Sequence, residues 1–289
     1  VFATEGCTGW RFVVEELRHA GIEAHLAEPA DTATLRGRKK RAKTDRADAR
    51  HLRRLLVEDR LPESWIPPGH VLEVRTKARA YLALMDHRRA WQQRIQAQLF
   101  HQGVEKRRGL LTVAGRAHLE GAELSAAGRQ LVEVALRIID ALGVEADLLR
   151  AELKAFARRQ AGCRALVDEI YGVGELTAAI IWAEMGDTRR FSSSNQAVRH
   201  TGLDITVRSS DGKRSPGRLS RQGPAALRWA LFEAALAATR ESSPDHAYHL
   251  EVTERLGAKR AYLSVARKLA RRIHHILRGL GDAAFEEVT

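Results

Sequence analysis

Hydrophobic positions change rhythm along this chain, and each rhythm predicts an element. Val1 to Thr4 reads as the end of a buried strand, with a turn at Gly6 to Gly9. Trp10 to Ala20 is amphipathic at helical spacing and closes on Gly21, and Ile22 to Ala27 is a short strand ending before Pro29. A strand–helix–strand order of this kind predicts a right-handed parallel crossover. From Val71 to about Gln160 the chain is mostly helix-forming, rich in Ala, Leu, Arg, Glu and Gln. Leu72, Val74, Tyr81, Leu84, Trp91, Ile95 and Leu99 are the expected packing seam. After a basic patch beyond Gly103 and a poorly patterned stretch at Ala114 to Gly128, the pattern resumes with Val132, Val134, Ile138, Ile139, Leu142, Leu149 and Leu153. An antiparallel helical pair or coiled-coil arm fits, although the heptads are too irregular to fix a register. Helices follow at Glu175 to Met185 and, after a serine-rich loop, behind Pro224, where Leu227, Leu231, Ala234 and Ala238 make the apolar stripe.

One helix carries charge in an unusual place. In Lys43-Thr44-Asp45-Arg46-Ala47-Asp48-Ala49-Arg50, Thr44 or Asp45 can cap, and Leu52, Leu55 and Leu56 follow at helical spacing. At about 100° per residue, Asp45 and Asp48 share the stripe of those leucines, while Arg46, Arg50, Arg53 and Arg54 lie opposite. Carboxylates at the edge of a buried face require a partner, and a divalent cation is one. First-turn acids favoured by the helix dipole are the other reading, and the spacing alone does not choose.

Composition narrows the partners. The 289 residues hold 48 Lys and Arg against 36 Asp and Glu, a net charge of +12. The excess is clustered. Ten basic residues lie between Arg36 and Arg54, six between Thr206 and Arg228, and eight between Arg255 and Arg278. Separated basic blocks point to a polyanion, with solvated faces as the plainer alternative. The two cysteines, Cys7 and Cys163, form no metal-ligand or disulfide pattern and suit a reducing cytoplasm. No apolar run approaches the ~20 residues of a membrane span. The length fits two domains and a connector.

Candidate chemistry gathers at three further points. Glu5 falls at the carboxyl end of the first strand, where open α/β sheets place their sites, though it also fits as an ordinary loop acid. Gly172-Val173-Gly174 joins two helices as in a helix-hairpin-helix, whose backbone N–H groups hold a phosphate. Tyr171 stands where that motif carries Pro, and a turn that merely packs the domain is the alternative. Ser220 lies between Arg218 and Arg221 just ahead of a helix N-terminus, with Arg228 about one turn inside. Such a pocket would hold a phosphodiester, and the hydroxyl could attack phosphorus and form a covalent link to DNA. A plain N-terminal loop serine fits the same spacing, and no adjacent His or Lys offers a general base.

These segments together resemble one family, the DEDD-type insertion-sequence transposases. The resemblance runs through Glu5 to Trp10, the Lys43-to-Ala49 run KTDRADA, Tyr171 to Gly174, Glu184-Met185-Gly186-Asp187, Phe191 and Gly202-Leu203. It continues through Leu219-Ser220-Arg221-Gln222-Gly223, Leu227-Arg228 and Ala266-Arg267-Lys268-Leu269. It implies an α/β plus mainly α fold: a partial RuvC-like, RNase H-like domain over 1–100, a helical connector over 101–160, and a helical serine-bearing domain over 161–289. By the same resemblance Glu5, Asp45 and Asp48 match the second, third and fourth acidic positions that hold Mg2+, and Ser220 matches the nucleophile. Lys43, Arg46, Gly172, Gly174, Arg218, Arg221 and Arg228 are the nucleic-acid-binding candidates. The family's first aspartate has no counterpart, so the chain is expected to start after it. The resemblance also implies DNA as substrate, a structured bridge RNA, and a homo-oligomer, dimer or tetramer. The expected function is DNA transposition or site-specific recombination. The alternatives are a RuvC-like structure-specific nuclease using water, and an inactive nucleic-acid-binding remnant.

Overall fold

A computed structural model describes residues 1–36, 44–105, 107–205, 208–210, 213–215, 217 and 219–288, with only the backbone at 208–210 and 213–215. The chain divides into two units, Val1–Pro68 and Gly69–Thr289.

In the first unit, β1 (Phe2–Glu5) is followed by α1 (Trp10–His19) and β2 (Ala24–Ala27). The strands pair in parallel, Phe2 opposite Ala24 and Glu5 opposite Ala27, so the crossover expected from the pattern is present. A short α2 (Pro29–Thr34) and α3 (Asp45–Val57) complete the unit. Its core is small: Val14 from α1, Leu26 and Ala27 from β2, and Leu52 and Leu55 from α3. Thr44 caps α3, its hydroxyl accepting the Ala47 N–H at 3.3 Å. The expected faces hold except at Asp45, which is exposed while Asp48 is half-buried. Arg46, Arg50, Arg53 and Arg54 are exposed and Leu52 and Leu55 buried, joined by His51, which lies 3.2 Å from the Thr32 carbonyl.

The second unit opens with α4 (Gly69–His101), α5 (Val113–Gly121) and α6 (Ala126–Arg159). Helices α4 and α6 run antiparallel. Lys77 meets Glu152 at 2.6 Å near one end, and Gln102 exchanges hydrogen bonds with Ser125 at the other. Buried and half-buried residues of α4 follow at alternating steps of three and four: Val71, Val74, Ala78, Tyr81, Met85, Arg88, Gln92, Ile95, Leu99. Gly128, Val132, Ala135, Ile139, Leu142, Ala146, Leu149 and Leu153 do the same in α6. The heptads are therefore regular, and it is small and polar residues at seam positions that hide them in the sequence. At the tip α5 folds back, and Leu110, Leu119 and Ala122 join Ile95, Leu99, Val132, Ala135 and Ile139 in one core cluster.

Beyond the arm come α7 (Ala161–Glu169), α8 (Glu175–Met185) and α9 (Ser194–His200). A hairpin of β3 (Arg208–Ser210) and β4 (Lys213–Ser215) precedes α10 (Ala225–Leu236), α11 (His246–Leu256) and α12 (Ala258–Leu280). Helix α8 is apolar all round and forms the centre of this packing, with Ala178 through Met185 all buried. Its Trp182 donates to the Ala284 carbonyl at 2.6 Å and lies between the rings of Phe156 and Phe285. The serine-rich stretch is a helix start, Ser193 capping α9.

Candidate functional site

In the first unit, Glu5, Asp45 and Asp48 all line one open groove of about 670 Å³ between β1 and α3, floored by Ala49, Leu52 and Leu56. Glu5 reaches it from the end of β1, and the two aspartates from the first turn of α3. The structure gives Asp48 a protein partner, for Arg36 donates to its carboxylate with both side chains largely buried. Among the described residues no three His, Cys, Asp or Glu side chains stand close enough to hold one ion. The groove thus offers hard oxygen donors from both β1 and α3, with Arg36 as the counter-charge of one of them. Arg46 is exposed on the outer face of α3. Lys43, with half of the first basic block, lies outside the described residues, as does Arg218.

In the second unit the segment Thr201–Asp204 and the segment Leu219–Gly223 run against each other. Ile205 bridges Leu219 in antiparallel sense, the Ser220 N–H donates to the Asp204 carbonyl at 3.0 Å, and the Arg221 N–H donates to the Gly202 carbonyl at 3.1 Å. The backbones cross so closely that only glycine fits. A Cβ on Gly223 would lie 2.1 Å from the His200 carbonyl oxygen, and one on Gly202 2.8 Å from the Gly223 nitrogen. Arg228, one turn into α10, donates to the carbonyls of Gly223 and Thr201, and Arg267 of α12 donates to the Leu203 carbonyl at 2.7 Å. Burial, then the neighbouring Arg221, lowers the Arg228 pKa from the usual arginine value. Arg228 therefore stitches the loop, whereas Arg221, held at φ 55°, is exposed beside Ser220. Pro224 is the N-cap of α10 rather than its first-turn residue. Ser220 is half-buried, and its hydroxyl donates to the Asp204 carboxylate.

The loop is anchored from behind by charge. His200 ends α9 with Nε2 3.2 Å from both the Glu184 carbonyl and Arg190 Nη2. Burial and then the Arg190 charge push its pKa down to about 4. Glu184 is fully buried and takes both fork nitrogens of Arg79, at 2.7 and 2.9 Å, tying α8 to α4. Sequence reasoning singled out neither His200 nor Asp204. The signal for Asp204 was the Asp211-Gly212 dipeptide, a strong hairpin mark that aligns the chain on either side of it.

Residues 2–101 match the family model of the DEDD-type IS110 transposase domain, and residues 164–250 match the model described as "Transposase IS116/IS110/IS902 family". Two separate segments of the chain are thus similar to transposases of the IS116/IS110/IS902 group. It is similar to the protein named "Putative transposase y4rJ" of Sinorhizobium fredii, 30% identical over 245 residues, which are 76% of this chain and 60% of that one. It is also similar to the transposase for insertion sequence element IS1111A of Coxiella burnetii, 33% identical over 123 residues, 41% of this chain and 34% of that one. The chain therefore spans less than two thirds of either relative's length. The three acids of the groove fall within the first matched segment, and Ser220 within the second. A DEDD-type domain suggests use of a divalent metal, although Glu5, Asp45 and Asp48 do not by themselves converge into an ion-holding group in this structure.

Other candidates are spread through the second unit. Gly172 has φ 89°, and a Cβ there would lie 2.5 Å from Ala237 Cβ, so the hairpin glycine seats the turn against the end of α10. Gly174 is the N-cap of α8 with open space around its Cα. Glu175 in the first turn pairs with Arg158 at 3.3 Å and Lys154 at 3.7 Å. In the last basic block Lys268 and Arg272 hold the buried Asp245, Arg271 reaches Asn195, and Arg278 donates to the Phe191 carbonyl. Arg255, Lys259 and Arg260 remain exposed at the junction of α11 and α12.

Proposed function

We propose that this chain serves DNA transposition, cleaving and rejoining the DNA of a mobile element through Ser220, with Glu5, Asp45 and Asp48 contributing to a Mg2+ site. The observation that carries the reading is that both family segments are present and that Ser220 sits in a loop built with no slack, two glycines and two arginines fixing its backbone. A preset loop of this kind suits a nucleophile whose position must be held through the reaction. On this reading residues 1–100 are a partial RuvC-like, RNase H-like domain, 101–160 a coiled-coil-like connector, and 161–289 the serine domain with a helix-hairpin-helix-like turn. The extents of the two matched segments support that division.

Each residue then has a task. Arg221, with Arg218, receives the scissile phosphate and faces the charge that grows on it. Arg228 holds the loop, and Gly172 the hairpin, while Gly174, Arg46 and Lys43 contact the nucleic-acid backbone. Mg2+, when bound by the acidic groove, supplies Lewis-acid charge to a phosphodiester oxygen. DNA is the substrate, a structured bridge RNA directs it, and a homo-oligomer in the cytoplasm carries out the exchange. Among the described residues no helix is long and apolar enough to cross a membrane.

The test traps protein–DNA adducts on a denaturing gel, using the full gene product and genomic DNA spanning the element with its flanks. Wild type should form an adduct, and Ser220→Ala should form none while binding DNA with little change, since one lost hydrogen bond is worth ~0.5–1.5 kcal/mol. Cleavage without any adduct would favour a water-using nuclease. Binding without cleavage would favour a remnant.

A further inference from the structure

Ser220 has a partner that neither the spacing nor the family match assigns a role. We infer that Asp204 is the general base for Ser220, taking the hydroxyl proton as the oxygen attacks phosphorus. The inference rests on the reading of Ser220 as the nucleophile. A serine hydroxyl is a weak nucleophile until a base receives its proton, and a base must lie within hydrogen-bond reach of the attacking atom. Asp204 meets that condition directly, for the hydroxyl donates to its Oδ1.

The geometry does not depend on one rotamer. The Ser220 N–H also donates to the Asp204 carbonyl at 3.0 Å, and the next residues outward, Ile205 and Leu219, form the bridge that keeps the two chains in register. Arg267 fixes the preceding peptide through the Leu203 carbonyl and lies within electrostatic reach of Asp204. The flanking charges are thus Arg267 from α12 and Arg221 and Arg228 on either side of Pro224. His200, four residues before Asp204 in sequence, is committed elsewhere, with Nε2 against Arg190 and the Glu184 carbonyl.

In the forward step the Oγ–phosphorus bond forms, the bond from phosphorus to the departing sugar oxygen breaks, and the Oγ proton passes to Asp204. The sugar oxygen leaves as a hydroxyl, taking a proton from water. Rejoining reverses this: the sugar hydroxyl attacks the phosphoserine, and Asp204 returns its proton to Ser220 as the serine leaves. One carboxylate thus serves both halves of a cut-and-rejoin cycle.

The test compares wild type, Asp204→Asn, Asp204→Glu and Ser220→Ala in single-turnover adduct formation on the element's own DNA. Diisopropyl fluorophosphate serves as a second, sequence-independent probe; there the Oγ–phosphorus bond forms, fluoride leaves and the same proton moves. Asp204→Asn keeps the size and a hydrogen-bond partner, so its unfolding midpoint and DNA affinity should match wild type. Its rate in both reactions should fall by roughly 10²-fold or more. The wild-type rate should depend only weakly on pH, whereas the Asn variant's should rise about tenfold per pH unit as hydroxide takes over. Asp204→Glu should recover at least tenfold over Asn, a gain that a merely structural contact would not return. Rates for Asp204→Asn within threefold of wild type, or an unchanged pH profile, overturn the assignment while Ser220 stands. Adducts persisting in Ser220→Ala overturn the nucleophile itself.

Discussion

The acidic groove and the serine loop are built in opposite ways. The groove belongs to a unit whose buried apolar residues number a handful, and its acids stand on a strand end and a helix first turn with open space before them. The serine loop is locked by two backbone crossings in which glycine is the only residue that fits, and by arginines from two helices. The groove carries excess negative charge held in check by Arg36, while Arg228 and Arg267 are spent on the loop's own carbonyls and Arg221 is left exposed beside Ser220. Rigid positioning suits an attacking atom, which has to be aligned before the reaction begins. A site whose charges are completed by something bound has less need of it.

The sharpest break of the contrast is Gly223→Ala. The new Cβ would lie 2.1 Å from one carbonyl oxygen and 2.7 Å from the Gly202 nitrogen, and backbone on both sides cannot turn aside. Overpacking against backbone should cost about 3 kcal/mol, read as a lower urea midpoint, with loss of all chemistry at Ser220. A stable variant with an intact loop would show that the crossing is slack after all. Glycine-to-alanine changes at Gly69 or Gly121, where nothing lies within 4 Å and φ is not positive, are the controls.

Acid should loosen the loop from behind. His200 titrates near 6.5 in an unfolded chain and about 4 in the native one, so between those values the unfolded state binds more protons. Stability therefore holds above about pH 7 and falls as the pH drops from 6.5 toward 4, by about 2 kcal/mol from pH 7 to pH 5. Urea midpoints at the two values, for wild type and His200→Gln, measure this share. A variant with the same pH slope as wild type would assign the acid sensitivity to other groups.

What was legible in the sequence tracks how local the interactions are. The parallel crossover and the faces of α3 followed from periods of a few residues. The arm's register did not, because Ala78, Gly128, Ala135 and Ala146 carry little hydrophobic signal and Arg88 and Gln92 occupy seam positions of α4. The loop was least legible. Its contacts join Gly202 to Gly223 and Arg267 to Leu203, pairs that no period connects. Asp48 marks the same limit: a partner for it was foreseen, but a run of ten basic residues gives no sign of which one turns inward.

A smaller effect is expected in the groove unit from Thr44→Ala. It removes the hydroxyl that accepts the Ala47 N–H at 3.3 Å, a long bond, so the loss should be ~0.5–1 kcal/mol and confined to the start of α3. Hydrogen exchange at Ala47 and Asp48 should quicken while amides of α8 do not change. Equal quickening in α8 would contradict the division into separate units.

The smallest effect on stability, and the most informative about chemistry, should come from Arg36→Gln. Arg36 and Asp48 form an ion pair with side chains 20% and 15% exposed, so some stabilisation is lost with the guanidinium. Pairs still reached by solvent seldom contribute more than about 1 kcal/mol, and the unfolding midpoint should move accordingly little. The local field changes far more. A cation entering the groove must now compete with Arg36 for the Asp48 carboxylate and meets a like charge beside it. Removing that charge should tighten Mn2+ or Mg2+ binding, which calorimetry on the full gene product would read as a several-fold lower dissociation constant. Asp48→Asn should move it the other way. If Arg36→Gln leaves metal affinity unchanged while Asp48→Asn weakens it, the carboxylate serves the ion without competition from Arg36. If neither variant alters binding, the groove is not the metal site, and its acids answer only to the helix dipole and to their arginine neighbour.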